Sequence, residues 1–257
     1  MSVVWWARSV ASSTVNWVSS RLGRGLPGYC AFCLSPEPLE SGWCRECSNE
    51  LPWNRHACVQ CKEPLGRHTP NLSPNLSNER FGPSERCGHC LVSPPAFKVT
   101  TAELLYEGPV IELIYDFKFN GSPRAGALLV ELMLANTPTH LGSALLPVPM
   151  FQARAKKRGF NQASWLASQL SRRLNVPVVR ARCTKQLPSQ RSLNRRERMV
   201  NMVGAFQMMD PLPPHVTIID DVVTTGATGH ALAKAALDAG AQQVDIWAVA
   251  RTPLDKS

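Results

Sequence analysis

Residues 216–229 read Val-Thr-Ile-Ile-Asp-Asp-Val-Val-Thr-Thr-Gly-Ala-Thr-Gly. An apolar run leads into two adjacent carboxylates, and a stretch of hydroxyls and glycine follows. Asp220 and Asp221 are acceptor-only groups that suit vicinal sugar hydroxyls. Thr224, Thr225 and Thr228 supply hydroxyl donors, and Gly226 permits close backbone approach. At Ala227 a helix is expected to begin, presenting free N–H groups and its positive dipole end to an anion. These parts, in this order, suit a ribose that carries a phosphate. Successive strand residues face opposite ways, so both carboxylates can serve one ligand only where the strand breaks into the loop. The sequence places that break at the acids. One acid would be enough to cap a helix; two acids, three threonines and a glycine exceed what a cap needs.

The segment resembles the phosphoribosyl-pyrophosphate (PRPP) motif of type I phosphoribosyltransferases. A second anion-binding arrangement precedes it in the chain. The short apolar run Ala144–Val148 ends at Pro149, and Arg154-Ala-Lys-Lys-Arg158-Gly159-Phe160-Asn161-Gln162 then leads into a helix. A strand, a basic glycine-containing turn and a helix again offer N–H groups to an anion. The Arg158 guanidinium can engage two oxygens of a diphosphate at once.

Eight of the nine cysteines fall in four identical Cys-x-x-Cys spacings: Cys30/Cys33, Cys44/Cys47, Cys58/Cys61 and Cys87/Cys90. Each pair can point two thiolates at one metal, and two pairs complete a tetrahedral four-sulfur zinc site. A redox dithiol needs one such pair, and a disulfide framework is disfavoured without an export signal. Sequential pairing is expected, with Cys30, Cys33, Cys44 and Cys47 on one zinc and Cys58, Cys61, Cys87 and Cys90 on the other. Pairing of the first knuckle with the third remains open. With eight thiols at hand, His56, His68 and His89 are expected to be bystanders, and Cys183 an ordinary free thiol. Closed four-sulfur sites leave no position for water, so both zinc ions are expected to be structural.

Length and composition bound the rest. With 257 residues, 44% of them hydrophobic, the chain suits one medium domain plus a small one. No apolar run approaches a membrane span, and the N-terminus lacks the pattern of a secretory signal, so a cytoplasmic protein is expected. Net charge is +9. It is concentrated between Arg154 and Arg198, where thirteen basic residues face one acid, Glu197. Such a confined positive field suits a polyphosphate or a nucleic-acid backbone. Its aromatic content is thin, with only Phe160 and Trp165 interleaved, which weakens a single-strand stacking surface.

The elements that must position these groups alternate. Strands are expected at Lys98–Tyr106, Ala144–Val148, Val176–Val179, the opening motif and Val244–Val249. Helices are expected from Val110 to Phe117, from Arg124 to Ala135, after Gln162 and from Ala227 to Ala239. Residues 183–206 show little periodicity and carry Arg191, Arg195, Arg196 and Arg198, as a flap over a phosphate site would. Alternating strands and helices imply a parallel sheet that binds ligands at the carboxyl ends of its strands. The first 27 residues form a separate basic segment containing tryptophan, readable as an amphipathic surface helix or as a helix docked on its own protein or a second subunit.

In this order the parts resemble the ComF family, over roughly residues 28–252. The match rests on the four knuckles, Pro147-Val148-Pro149, Arg158–Gln162, Thr184–Gln190, Asn201–Phe206 and Asp220–Thr228. The resemblance implies an α/β fold, a type I phosphoribosyltransferase-like parallel sheet with a small N-terminal zinc-ribbon domain. Its expected division is an N-terminal segment at 1–27, a double zinc-ribbon module at 28–95 and a phosphoribosyltransferase-like domain at 96–257. It further implies that Asp220 and Asp221 bind the ribose hydroxyls and act in any catalysis. Thr224, Thr225, Gly226, Ala227 and Thr228 would cradle the 5′-phosphate. Arg158 and Gly159 would face the pyrophosphate, with Mg²⁺ bridging it to the sugar. Some purine-specific relatives keep an aspartate where Thr224 stands here, so the motif names no general base. Turnover with an unidentified acceptor, or PRPP sensing and handling of single-stranded DNA alongside DNA-uptake proteins in natural competence, both follow from the resemblance. An oligomer is left open.

Overall fold

The computed structural model describes residues 29–30, 32–36, 42–65, 85–151, 159–185, 202 and 204–254. The N-terminal segment, Arg158 and the arginines of the expected flap lie outside the described residues. By compactness the chain divides into two units, each drawn from two chain segments: 1–51 with Ile111–Ala135, and Pro52–Val110 with Asn136–Ser257. Residue 95 falls inside the second unit.

The first unit contains helix α1 (Arg45–Glu50), most of α3 (Pro109–Tyr115) and α4 (Pro123–Ala135). A π-helical turn, Asp116–Asn120, continues α3 and stops at Gly121, whose φ of 64° is the left-handed C-cap geometry. The Asn-Gly-Ser-Pro break read in the sequence is therefore present. Helix α4 buries Ala125, Leu128, Leu129, Leu132 and Met133, the 3.6-residue stripe that the pattern predicts.

The second unit holds the sheet. Its strands are β1 (Thr100–Thr101), β2 (Leu104–Leu105), β3 (Ala144–Pro147), β6 (His215–Val223) and β7 (Gln243–Arg251). The order is β1-β7-β6-β3, with β2 also on β7, and every pairing is parallel. The expected strand 98–106 is thus split in two along β7. Val178 reaches the sheet only as a single bridge to Leu145. Strands β4 (Ala181–Cys183) and β5 (Phe206–Met208) form a separate antiparallel ribbon at the two ends of the segment read as a flap.

Strands buried on both faces read as near-continuous apolar runs, and β6 and β7 do so because helices cover the sheet. Helix α5 (Gln162–Leu174) packs on β3 and β6, and α6 (Ala227–Asp238) on β6 and β7. Thr217, buried in β6, is satisfied by the Gly142 N–H, which donates to its Oγ1 at 2.8 Å. A Cβ on Gly142 would come within 2.7 Å of the Val216 and Thr217 backbone, so only glycine allows this approach. Among the described residues, no helix is long and apolar enough to cross a membrane.

Candidate ligand site and metal centres

The knuckles share one local design. Cys30 and Cys58 each open a tight turn closed by backbone bonds: Leu34 N–H to Cys30 O (2.9 Å) and Cys30 N–H to Ser35 O (2.7 Å) in the first. The second repeats it with Lys62 N–H to Cys58 O (2.9 Å) and Cys58 N–H to Glu63 O (2.8 Å). In both, the residue after the second cysteine turns left-handed, Leu34 at φ 61° and Lys62 at φ 56°. The remaining pairs sit at helix starts. Cys44 caps α1, and Cys87 precedes α2 (Gly88–Val92), so Cys47 and Cys90 lie on first turns.

These elements gather the sulfurs in sequence order: Cys30, Cys33, Cys44 and Cys47 in one group, Cys58, Cys61, Cys87 and Cys90 in the other. Within each group all four lie within 4.8 Å of one another. A tetrahedral ion with Zn–S bonds of about 2.3 Å needs sulfurs roughly 3.8 Å apart. Cys33 and Cys44 are separated by 3.7 Å, and Cys61 and Cys87 by 3.6 Å. Both groups therefore fit zinc. The interleaved pairing is not the one adopted, and no histidine belongs to either group among the described residues.

Thiol electrostatics agree. The Cys61 thiol and backbone N–H groups from Cys61, Cys87 and Gln60 hold the Cys58 thiol down to about 4 against its burial. Its neighbour Cys61 is pushed up, first by that shared hydrogen bond with Cys58 and then by burial. Burial and nearby thiols likewise push Cys90 up to about 12. In the other group, burial raises Cys30, but N–H groups from Cys33, Cys44 and Phe32 outweigh it and bring it to about 6. One thiolate per group thus suppresses ionisation of its neighbours, and a bound dication relieves that conflict.

The two groups differ in setting. Cys58, Cys61, Cys87 and Cys90 are all buried and share one hydrophobic cluster with Phe97, Ile218, Val223, Leu232 and Ile246. In the first group Cys33 is exposed.

At the carboxyl edge of the sheet, β3 stops at Pro147, which pairs with Ile219. The last link is Val148 N–H to Ile219 O at 3.0 Å. Beyond it β6 continues on the β7 side alone, through Asp220, paired with Ala248, to Val223, paired with Arg251. The break expected at the acids thus comes three residues later, and the two carboxylates occupy alternating strand positions. Asp220 lines a cavity of about 20 Å³ with Thr224, Gly226 and Thr228. Asp221 is 7% exposed and does not line it. Each carboxylate also accepts from the following N–H, Asp220 Oδ1 from Asp221 (2.9 Å) and Asp221 Oδ1 from Val222 (2.8 Å).

The loop then turns at Gly226, whose φ of 77° is left-handed, and α6 begins at Ala227. Thr225 is buried and its Oγ1 accepts from Ala227 N–H at 3.4 Å, while Thr224 is exposed. Gly159 has φ 89° with open space where a Cβ would be. It opens the turn into α5, where Asn161 caps the helix through Ser164 N–H (3.2 Å) and donates to Val148 O (3.0 Å). That amide ties the Gly159 turn to the end of β3, beside the start of the open β6 flank. A larger cavity, about 790 Å³, runs between Phe206–Met208 and the outer face of α6 at His230, Lys234 and Asp238, and neither acid lines it.

The sequence reading missed a buried pair. Arg251, 1% exposed at the end of β7, meets Glu63 through its Nη2 at 2.5 Å. Its Nη1 donates to Val223 O (3.0 Å) and Thr252 O (2.9 Å). Two signals were available: a lone arginine closing an apolar run, and a glutamate two residues after Cys61. It also missed His215–Asp245 (2.7 Å), at the opposite end of the strands.

The described residues thus define a parallel α/β unit with an acid-acid-hydroxyl loop at its carboxyl edge, in a chain with two four-cysteine groups that fit zinc. No family model matches the chain. Curated relatives do. A protein named DNA utilization protein YhgH, from Shigella flexneri, is 34% identical over 244 residues, covering 88% of this chain and 98% of its own length. Competence protein F of Haemophilus influenzae is 32% identical over 181 residues, 65% of this chain and 79% of that protein. Competence protein ComFC of Bacillus subtilis is 33% identical over 97 residues, 37% and 39% of the two chains. The chain belongs to the ComF family. Among solved structures, the orotate phosphoribosyltransferase of Aeropyrum pernix aligns at a TM-score of 0.31 and 20% identity, covering 50% of this chain and 61% of that one.

Proposed function

We propose that this protein binds PRPP with Mg²⁺ at the carboxyl edge of β6 and that each chain carries two structural zinc ions. One observation carries the reading: Asp220, Thr224, Gly226 and Thr228 surround one cavity where β6 has lost its β3 neighbour and α6 begins. Hydroxyls and helix-start N–H groups around Gly226 take the 5′-phosphate. Asp220 accepts from the ribose hydroxyls, and Asp221, at the next strand position, holds the strand end by accepting from Val222 N–H. Gly159, with Arg158, faces the pyrophosphate, whose charge Mg²⁺ offsets.

Reaction of the bound ligand would displace pyrophosphate at the anomeric carbon. Asp220, the acid on the cavity, would stabilise the cation-like transition state, and Arg158 would hold the leaving group. Thr224 offers no base, so an acceptor has to arrive already nucleophilic or be deprotonated by a group outside the motif. Turnover is tested by following pyrophosphate release from PRPP with a panel of bases and amines. Release above the hydrolytic background with one acceptor supports transfer; none, with PRPP bound, leaves a sensor.

A second reading is single-stranded DNA handling in the cytoplasm together with DNA-uptake proteins. It is favoured by the competence and DNA-utilization names of the relatives. Exposed Arg172 and Arg173 at the end of α5, Arg180 just before β4 and Arg182 on β4 add a basic surface. Arg180 is held there by Asp210 at 2.8 Å.

A further inference from the structure

We infer that the second cysteine group is a clamp on the phosphate loop, and that Glu63, Arg251 and Phe97 are positioning residues through which its metal sets the loop's shape. The inference rests on the PRPP reading only for what the loop holds.

Three ties join this metal group to the segment Val223–His230. The first runs through charge. Glu63 follows Cys61 by two residues, and its backbone carbonyl accepts from Cys58 N–H at 2.8 Å, so the knuckle fixes its position. Its carboxylate holds Arg251 and also accepts from Leu254 N–H at 2.9 Å. Arg251 then grips the Val223 carbonyl, the last residue before Thr224. The second tie runs through packing. Gln60, inside the knuckle, donates to Phe97 O at 3.1 Å. The Phe97 ring lies 3.8 Å from where a Cβ on Gly226 would stand, directly beneath the left-handed turn. The third follows the chain out of the fourth knuckle: Ala96 N–H donates to His230 Nδ1 at 3.0 Å, in the first turn of α6. That bond leaves the imidazole proton on Nε2.

The ties approach the loop from both of its ends. Val223 is held before the threonines, and Gly226 and His230 are held after them. Without metal the four thiols of this group lose their common partner, and the turn that places Gln60 and Glu63 is left to its backbone bonds alone. Arg251 is buried, so its anchor is lost whenever Glu63 moves away. The loop hydroxyls and N–H groups are useful to a phosphate only while held in place. Metal at this group should therefore set affinity at a site to which it contributes no ligand.

The test uses the full chain, as purified with its zinc, and two readouts. Amide hydrogen exchange at 223–230 is measured in wild type, in Glu63→Gln and in Phe97→Leu, alongside zinc content. PRPP affinity is measured on the same samples well below their unfolding temperatures. Expected are two zinc ions retained, faster exchange confined to 223–230 in both variants, and PRPP binding weakened on the order of tenfold. The conservative Glu63→Asp should recover part of the affinity. Unchanged exchange at 223–230 in a folded, zinc-loaded Phe97→Leu overturns the clamp. So does wild-type affinity in that variant. Wild type that fails to bind PRPP removes the PRPP reading alone, because exchange still decides the clamp. If Glu63→Gln does not fold, Phe97→Leu carries the decision.

Discussion

Val148 donates its N–H to the Ile219 carbonyl at 3.0 Å, and this bond is where the sheet opens. On one side of it β3 and β6 are zipped; past it, β6 carries Asp220 and Asp221 onward with β7 alone. This edge brings strand backbone, a carboxylate and a helix start together within a few residues.

The two metal groups should respond differently to loss. Cys58→Ser removes a thiolate from a group lying in the core with Ile218 and Ile246, so it should unfold the sheet unit. Cys33→Ser touches a group whose Cys33 is exposed, and the sheet unit should stay folded with one zinc left. Metal analysis of natively purified wild type should find about two zinc ions per chain. Circular dichroism with metal counting on all three proteins checks this; retained folding in Cys58→Ser contradicts the core placement.

Two glycines separate stability from binding. Gly142→Ala drives a methyl to within 2.7 Å of the β6 backbone, which cannot yield as a side chain would. It should cost about 2–3 kcal/mol of stability and leave ligand affinity unchanged in protein that remains folded. Gly226→Ala meets nothing closer than 3.8 Å, but forces a left-handed alanine at the loop. It should cost only about 1 kcal/mol in the fold while weakening PRPP binding markedly. Denaturant melts paired with calorimetry distinguish the two.

The sheet, the helix starts and the cysteine groups were legible because each follows from local pattern. Apolar runs, an Asn-Gly-Ser-Pro break and Cys-x-x-Cys spacing fix elements without reference to distant residues. Sequential zinc pairing was legible for the same reason, since neighbouring knuckles close the shorter loop. The Glu63–Arg251 pair was not, because its partners are far apart in the chain and only packing joins them. The strand's persistence past the acids was also hidden. Asp is a poor strand former, yet β7 pairs that far and tertiary context overrides propensity. Nor does any local pattern show that the second cysteine group shares a hydrophobic cluster with the sheet.

The DNA reading has its own signature. If Arg172, Arg173 and Arg182 contact phosphates, single-strand affinity should fall linearly on a log scale with salt. The slope should be about −0.7 per phosphate contacted. Replacing the three by glutamine should reduce that slope and lower affinity for all sequences alike. Fluorescence anisotropy at several salt concentrations reads both. No binding at low salt removes this reading and leaves PRPP binding unaffected.

Most direct is a calorimetric titration of PRPP, with and without Mg²⁺, into zinc-loaded wild type and Asp220→Ala. Expected are saturable, Mg²⁺-dependent binding to wild type and a loss on the order of tenfold or more in the variant. No binding to folded wild type, or equal affinity in the two proteins, would contradict a PRPP site at the Asp220–Thr228 edge.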